Sequence, residues 1–186
     1  APNTYNVVIQ YTLNTSGVTL EQFQAGQPWI NDALAVLDLQ DGESITTARV
    51  SGIIDLAREL ADIVIIDTPG RLDEIVLTAI DCSDEVLAVA TMDLPSIKNT
   101  KVSLQKLRQL GYRNGLVKLV LNRADSKVFL EPADVERAVG SSVLVRVPSD
   151  RLVPRSVNRG VPVALDQPKS PVAKSLAELA RHIVEA

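Results

Sequence analysis

A carboxylate at the end of an apolar segment is the feature of this sequence with the clearest chemistry. The segment Asp62–Gly70 reads DIVIIDTPG, so four β-branched residues lead directly into Asp67 and a Thr-Pro-Gly turn. We predict a strand that is apolar on both faces and therefore lies in the middle of a parallel sheet. Its carboxyl end would open on the crevice where such sheets bind ligands. An Asp at that place can organise Mg²⁺ beside phosphates, whereas the simpler alternative is an Asp that caps a turn.

The elements that must position Asp67 follow from the alternation of strand and helix patterns after residue 46. This alternation predicts an α/β fold, with a doubly wound, mainly parallel sheet and helices on both faces. The predicted strands are Ile63–Asp67, Glu85–Thr91, Leu116–Asn122 and Ser142–Val147. The predicted helices are Ala48–Leu60 behind a Thr46 or Thr47 cap, Leu72–Ile80, a long one from Pro95 to Gly111, Pro132–Ala138, Arg151–Asn158 and a last one from Pro171.

The first 45 residues have a less decisive pattern. Tyr5–Leu13 fits a strand or a helix equally well, Val18–Gln24 fits a short helix, and Ala33–Leu39 fits a strand. Repeats, low-complexity tracts and linkers are absent from the sequence. We therefore expect residues 1–186 to form a single domain.

Composition excludes several classes of function. Hydrophobic residues make up 46% of the 186 residues and the formal net charge is −4, which indicates a globular core and no strong nucleic-acid signal. A single cysteine is typical of a reducing cytoplasm. No apolar run approaches the roughly 18 residues of a membrane span, and the charge-balanced tail Lys174–Ala186 does not predict a membrane-anchoring helix. His182, the only histidine, is expected at a surface position of the last helix.

Taken together and in order, several stretches resemble the MinD/ParA-like family of P-loop ATPases. The branch most similar to this chain is that of the CpaE/TadZ-type proteins of Flp pilus assembly. The resemblance extends from about Thr46 to the C-terminus. It rests on DIVIIDTPGRLDE from Asp62, EVLAVATMDLPSIKNTK from Glu85, KLVLNRADS from Lys118, PSDRLVPRSVNRGVPV from Pro148 and PKSPVAKSLAELA from Pro168.

The resemblance implies a role for each matching polar residue. Asp67 would act on Mg²⁺ through water, and the turn after it would sense the γ-phosphate. Asn122 would hydrogen-bond the base, which suits an amide because it both donates and accepts. The sequence Asn122-Arg-Ala-Asp125 also echoes the guanine-reading motif of GTPases, but the resemblance favours adenine. The implied site residues are Asp67, Thr68, Pro69, Gly70, Asn122, Arg123, Pro148, Ser149 and Asp150.

The loop that should hold the phosphates has no counterpart in this sequence. Such a loop needs a Gly-rich backbone followed by Gly-Lys, and none of the nine glycines precedes a lysine. We favour a chain that starts after the first β-α-β unit over a degenerate family member. In the degenerate case Asp38, within LDLQDG, would be the second acidic residue near the metal. A sheet without its central strand would need Tyr5–Leu13, a partner or a second copy to cover the apolar edge.

These expectations combine into one functional hypothesis with two alternatives. The complete protein would be an ATP- and Mg²⁺-dependent homodimer that positions or regulates assembly of a Flp-type pilus or secretion machine. It would be cytoplasmic and recruited to a pole or a membrane machine by pilus or secretion assembly proteins. The alternatives are a non-catalytic pseudo-ATPase scaffold and a chromosome-partition or division-site ATPase. Without the phosphate-binding loop, this chain is not expected to hydrolyse ATP alone.

Overall fold

A computed structural model describes the backbone of residues 5–11 and all atoms of residues 45–125 and 131–185. The strands are β1 (Tyr5–Tyr11), β2 (Ile63–Pro69), β3 (Glu85–Thr91), β4 (Val117–Asn122) and β5 (Val143–Val147). The helices are α1 (Thr47–Leu60), α2 (Glu74–Asp81), α3 (Leu94–Gln109), α4 (Pro132–Val139), α5 (Leu152–Asn158), α6 (Val163–Asp166) and α7 (Pro171–Glu185). None of these helices combines the length and the apolar character needed to cross a membrane.

The five described strands form one parallel sheet in the order β2-β1-β3-β4-β5. β1 lies between β2 and β3, so the described part of the ambiguous segment Tyr5–Leu13 forms an interior strand of the sheet. A strand from this segment is one of the three expected ways of covering the apolar edge, the others being a partner and a second copy. The α/β fold with a parallel sheet is therefore confirmed.

Helices cover both faces of the sheet. Alternate side chains of β3 point to opposite sides, because successive residues of a strand face opposite ways. Val86, Ala88 and Ala90 pack on the side of α1, α2, α3 and α4, whereas Leu87 packs on the side of α5, α6 and α7. Almost every residue of β3 is buried, which explains its continuous apolar run.

Short polar residues set the starts of three helices. The side chains of Thr46, Asp73 and Asp93 accept hydrogen bonds from backbone N–H groups in the first turns of α1, α2 and α3. Gly140 ends α4 with φ of 71°, a left-handed conformation that glycine adopts without steric cost. These local signals explain why the predicted helix bounds differ from the observed ones by only one or two residues at most of the described ends.

The interior position expected for β2 is not found among the described strands, and the predicted strand Ala33–Leu39 lies outside the described residues. Among the described strands β2 is an edge strand, and its side chains alternate between exposed and covered. Ile65 is 56% exposed, while Ile66 packs against the cluster that contains Ile54 and Val76. The run of β-branched residues therefore indicated a strand correctly but did not reveal its place, because apolar residues also occur on half-covered edges.

His182 is partly exposed, as expected for a surface position, with 29% of its side chain accessible, but it makes a contact that the sequence did not predict. Its Nε2 lies 3.1 Å and 3.0 Å from the two carboxylate oxygens of Glu85, whose side chain is buried. Lys118 Nζ lies 3.9 Å from one of the same oxygens. His182 thus joins α7 to the first residue of β3, and a buried carboxylate requires such partners.

Candidate functional site

A pocket of about 620 Å³ opens beyond the carboxyl ends of β4 and β5. It is called here the carboxyl-edge pocket. Apolar side chains from α5, α6 and α7 form part of its wall, and polar loop residues complete it. Its lining residues are Asn122, Arg123, Val147, Pro148, Ser149, Asp150, Arg151, Val153, Pro154, Val163, Val172 and Leu176. A concave, largely apolar site with a few convergent polar groups is the usual form of a small-molecule pocket.

Asn122 and Arg123 form a strained corner of this pocket. Arg123 has a φ of 53°, a left-handed conformation that residues with a Cβ seldom adopt. Its backbone N–H donates to Asn122 Oδ1 at 3.0 Å, which orients the Asn122 amide. Within residues 45–125 and 131–185, no further hydrogen bond of the Asn122 amide is found, so its NH₂ group and the second lone pair of Oδ1 can contact a ligand. Strain of this kind is found at binding sites, where surrounding structure maintains it.

Asp125 ties the loop after β4 to the loop after β5. The Ser149 backbone N–H donates to Asp125 Oδ1 at 2.5 Å, and the Ala124 N–H donates to the Val147 carbonyl at 3.0 Å. These bonds bring the Asn122 loop and the Pro148–Asp150 loop to the same pocket. Sequence reasoning did not select Asp125 as a site residue, although its position in the Asn-Arg-Ala-Asp motif was the available signal.

Protonation of Asp125 is expected to release this connection. The hydrogen bond from the Ser149 N–H holds the pKa of Asp125 below the ordinary aspartate value of about 3.9. Because the pKa of Asp125 is lower in the folded chain than in the unfolded chain, its hydrogen bond contributes to folding stability above about pH 3.9. This contribution is lost as the pH falls through the folded pKa. We expect the Asp125 carboxyl resonance in an NMR titration to move with a midpoint below about 3.9. A midpoint at or above that value would contradict the connection, and in Asp125→Asn the Ser149 amide should exchange faster than in the unmodified chain.

A second carboxylate, that of Asp166, fixes two of the helices that form the apolar wall of the pocket. Ser156, which is fully buried in α5, donates through Oγ to Asp166 Oδ2 at 2.8 Å. Arg159 Nη1 contacts Asp166 Oδ1 at the same distance. Both contacts hold the pKa of Asp166 below its usual range, and the hydrogen bond from Ser156 has the larger effect. Asp166 therefore fixes α5 against α6, the two short helices that supply Val153 and Val163.

Asp67 and its turn lie elsewhere on the same edge of the sheet. Asp67 is exposed and shares its face of β2 with Ile63 and Ile65, whereas Thr68 is buried on the opposite face. Gly70 lines a small cavity with side chains of α3. None of four cavities formed by the described residues is lined by both this turn and Asn122. The turn therefore belongs to a separate part of the crevice.

Sheet geometry gives the separation of the two groups. β2 and β4 are three strand spacings apart, which is about 14 Å across the sheet. Asp67 lies in the row of Leu87 and Asn122 in the row of Thr91, so they also differ by about 13 Å along the strands. A ligand that reached both would have to be extended, with one end at each position.

The predicted site residues thus fall into two sets. The structure brings Asn122, Arg123 and Pro148–Asp150 into the carboxyl-edge pocket, while Asp67–Gly70 stand apart and Asp38 lies outside the described residues. In the part of the chain that the structure describes, no group of three or more His, Cys, Asp or Glu residues could hold a metal. One exposed carboxylate nevertheless fits Mg²⁺ held through water, because Mg²⁺ keeps several waters and uses one or two carboxylates with phosphates.

Comparison with known proteins gives relatives of one kind. A chloroplastic septum site-determining protein MinD homolog of Arabidopsis thaliana is 30% identical over 129 residues, covering 67% of this chain and 39% of the relative. An uncharacterised ATP-binding protein of Methanocaldococcus jannaschii is 25% identical over 193 residues, covering 97% of this chain and 72% of the relative. The chain therefore spans about two fifths of the first relative's length. No protein-family model matches the chain.

Solved structures give a similarity of the same kind as the sequence relatives do. A ParA family ATPase from Chlorobium tepidum matches this chain with a TM-score of 0.71 at 20% identity. The match covers 98% of this chain and 88% of the ATPase chain. The fold is that of MinD/ParA P-loop ATPases. A MinD from Pyrococcus horikoshii, complexed with Mg-ADP, has a TM-score of 0.65 at 16% identity, covering 97% of this chain and 84% of its own. The chain is thus similar in sequence to a MinD homolog and an ATP-binding protein, and in fold to a ParA family ATPase.

Proposed function

We propose that this chain is the base-binding part of a MinD/ParA-like ATPase and that the carboxyl-edge pocket holds adenine. The observation that supports this most is the convergence of Asn122, Arg123, Pro148, Ser149 and Asp150 on one pocket. These residues come from two loops that are 25 positions apart and are tied by Asp125. Apolar side chains of α5, α6 and α7 would pack against the purine, while the Asn122 amide would read its edge.

In the complete ATPase, Asp67 would organise Mg²⁺ through water and Thr68–Gly70 would sense the γ-phosphate. Mg²⁺ would supply neutralisation of phosphate charge during attack of water. The exposed position of Asp67 at the carboxyl end of β2 is compatible with that role. Since no Gly-Lys pair occurs in the sequence, we expect this chain alone to bind nucleotides through the base and to hydrolyse none.

Asn122→Ala tests the base pocket by isothermal titration with adenosine, ADP, ATP and guanosine. We expect the unmodified chain to bind the adenine compounds with similar affinities and guanosine more weakly. Loss of the Asn122 hydrogen bonds, each leaving a partner unsatisfied at about 1–3 kcal/mol, should weaken adenosine binding about 5- to 150-fold. Asn158→Ala, which changes an exposed asparagine at the end of α5, is the matched control and should bind as the unmodified chain does.

The same titration separates the ATPase proposal from the scaffold alternative. If no adenine compound binds, or if Asn122→Ala and Asn158→Ala weaken binding equally, the pocket is not a base site. A pseudo-ATPase scaffold would then be the better description of this chain. Binding of guanosine tighter than adenosine would instead point to the reading of Asn122-Arg-Ala-Asp125 as a guanine motif.

For the cellular role we propose a positioning ATPase that acts as a homodimer with partner proteins. The resemblance to CpaE/TadZ-type proteins favours a Flp-type pilus or secretion machine. A division-site role is the second candidate, because the Arabidopsis relative is a septum site-determining protein homolog and a MinD from Aquifex aeolicus with this fold is in complex with MinC. Deletion of the gene in its native cell discriminates between them, since loss of pili with normal septa would exclude the division-site role.

A further inference from the structure

A second cavity, here called the amino-edge pocket, lies at the opposite edge of the sheet from the carboxyl-edge pocket. It has a volume of about 300 Å³ and is formed where β4 begins and where α3 and α4 end. Its lining residues are Leu104, Leu107, Arg108, Tyr112, Arg113, Asn114, Gly115, Val117, Lys118, Gly140, Ser141 and Ser142. The proposed nucleotide site uses none of these residues.

The charge of this pocket is strongly one-sided. Arg108, Arg113 and Lys118 line it, and among the described residues its lining contains no Asp or Glu. Carboxylates lie next to the lining and are engaged by other groups. Asp81 accepts from the Tyr112 hydroxyl, and Glu85 lies 3.9 Å from Lys118 while it contacts His182. Glu136 accepts from the Val143 N–H at 2.8 Å. Lys118 is therefore close to a carboxylate, whereas the two arginines of the pocket make their described hydrogen bonds to neutral groups.

Backbone carbonyls hold both guanidinium groups in place. Arg108 Nη2 donates to the Gly140 carbonyl at 2.7 Å, and Arg113 Nη2 donates to the Asp84 carbonyl at 2.8 Å. A carbonyl orients a guanidinium without cancelling its charge, and each arginine has five N–H donors. Gly140 permits the close approach, because a Cβ there would lie only 3.3 Å from Arg108 Nη1. The pocket thus presents ordered donors around a concave space with Leu104 and Leu107 buried beneath it.

We propose that the amino-edge pocket binds a phosphate group, carried by a small phosphate monoester. Arginine pairs are the side chains best suited to phosphate, because their planar donors match its oxygens. Ser141, Ser142 and Asn114 add neutral donors at the same rim. Leu107 and Tyr112 would contact the organic part of the ester, and the volume suits a small molecule.

The test is a titration of the ¹⁵N-labelled chain with inorganic phosphate and with glycerol phosphate at constant ionic strength. We expect saturable shifts at the amides of Asn114, Gly115 and Ser141, with the ester binding at least as tightly as phosphate. Arg113→Gln should weaken binding about tenfold, which is the loss expected for one charge-assisted contact. Arg137→Gln removes an equal charge from a side chain that is 78% exposed and paired with Asp134, and should change nothing.

Ser142→Asp is the second variant, because it adds a negative charge at an exposed lining position without removing a structural contact of Arg113. It should weaken phosphate binding as Arg113→Gln does. The proposal is overturned by shifts that do not saturate, by equal weakening in Arg137→Gln, or by equal affinity for acetate. Shifts confined to Asn122 and Ser149 would also overturn it, since they would place the phosphate in the carboxyl-edge pocket.

Discussion

Leu119→Ala is expected to lower the free energy of unfolding by about 2–5 kcal/mol. Leu119 is completely buried in the middle of β4, where it packs in the cluster that contains Ala88, Leu104 and Val139. Removing three carbons there costs their burial and leaves a cavity that strand and helices cannot close. Equilibrium denaturation with urea, compared at equal m-value, measures the change.

Leu165→Ala is the matched control for this prediction. The same atoms are removed from a side chain that is 75% exposed in α6, so the change should stay within about 0.5 kcal/mol. A loss of less than about 1 kcal/mol in Leu119→Ala would contradict the packing of β4 against α3 and α4. Such a result would also weaken the case for the carboxyl-edge pocket, because Asn122 ends the same strand.

Asp67→Ala is expected to abolish whatever part of nucleotide-induced stabilisation depends on Mg²⁺. A ligand that binds only the folded chain raises its melting temperature, and it does so more when it binds more tightly, because the stabilisation grows with the logarithm of the ligand concentration divided by Kd. If Asp67 holds the ion through water, the melting temperature with ATP and Mg²⁺ should fall to the value with ATP and EDTA. Adenosine, which binds no ion through phosphates, should stabilise Asp67→Ala and the unmodified chain equally.

Asp62→Ala provides the comparison, because it removes an exposed carboxylate just before the same strand begins. Its Mg²⁺-dependent stabilisation should equal that of the unmodified chain. A Mg²⁺-dependent increment that survives in Asp67→Ala would show that Asp67 only ends a strand and begins a turn. Complete absence of the increment in the unmodified chain would leave this chain a base-binding module without a metal site.

The two sets of site residues differ in how far sequence reasoning could assign them. Asn122 and Pro148–Asp150 follow apolar strands, and parallel strands place their carboxyl ends on one edge, so convergence on one crevice could be expected. Asp67 also follows a strand, yet its distance from Asn122 depends on strand order. The position of β1 between β2 and β3 contributes one strand spacing to that distance. No local pattern in Asp62–Gly70 contains this information.

Asp125 and His182 illustrate what sequence reasoning missed. Asp125 became informative only when the loops after β4 and β5 were adjacent, because its partner Ser149 is 24 residues away. His182 contacts Glu85 across 97 residues, and nothing near either residue indicates the pairing. Polar contacts of this range arise from the docking of whole elements, so a single residue's neighbours in sequence do not predict them.

By itself, the sequence determined the kind and order of the elements after residue 46 except the short helix α6, the cap of α1 and the two strand-end motifs. These depend on periodicity and on residue types within a few positions of each other, which local chemistry controls. Tertiary structure alone decided that β2 lies at an edge of the described sheet, that β1 lies between β2 and β3, and that Arg108 and Arg113 share a pocket. Those outcomes depend on which elements pack together, and packing is set by burial of surfaces from distant parts of the chain.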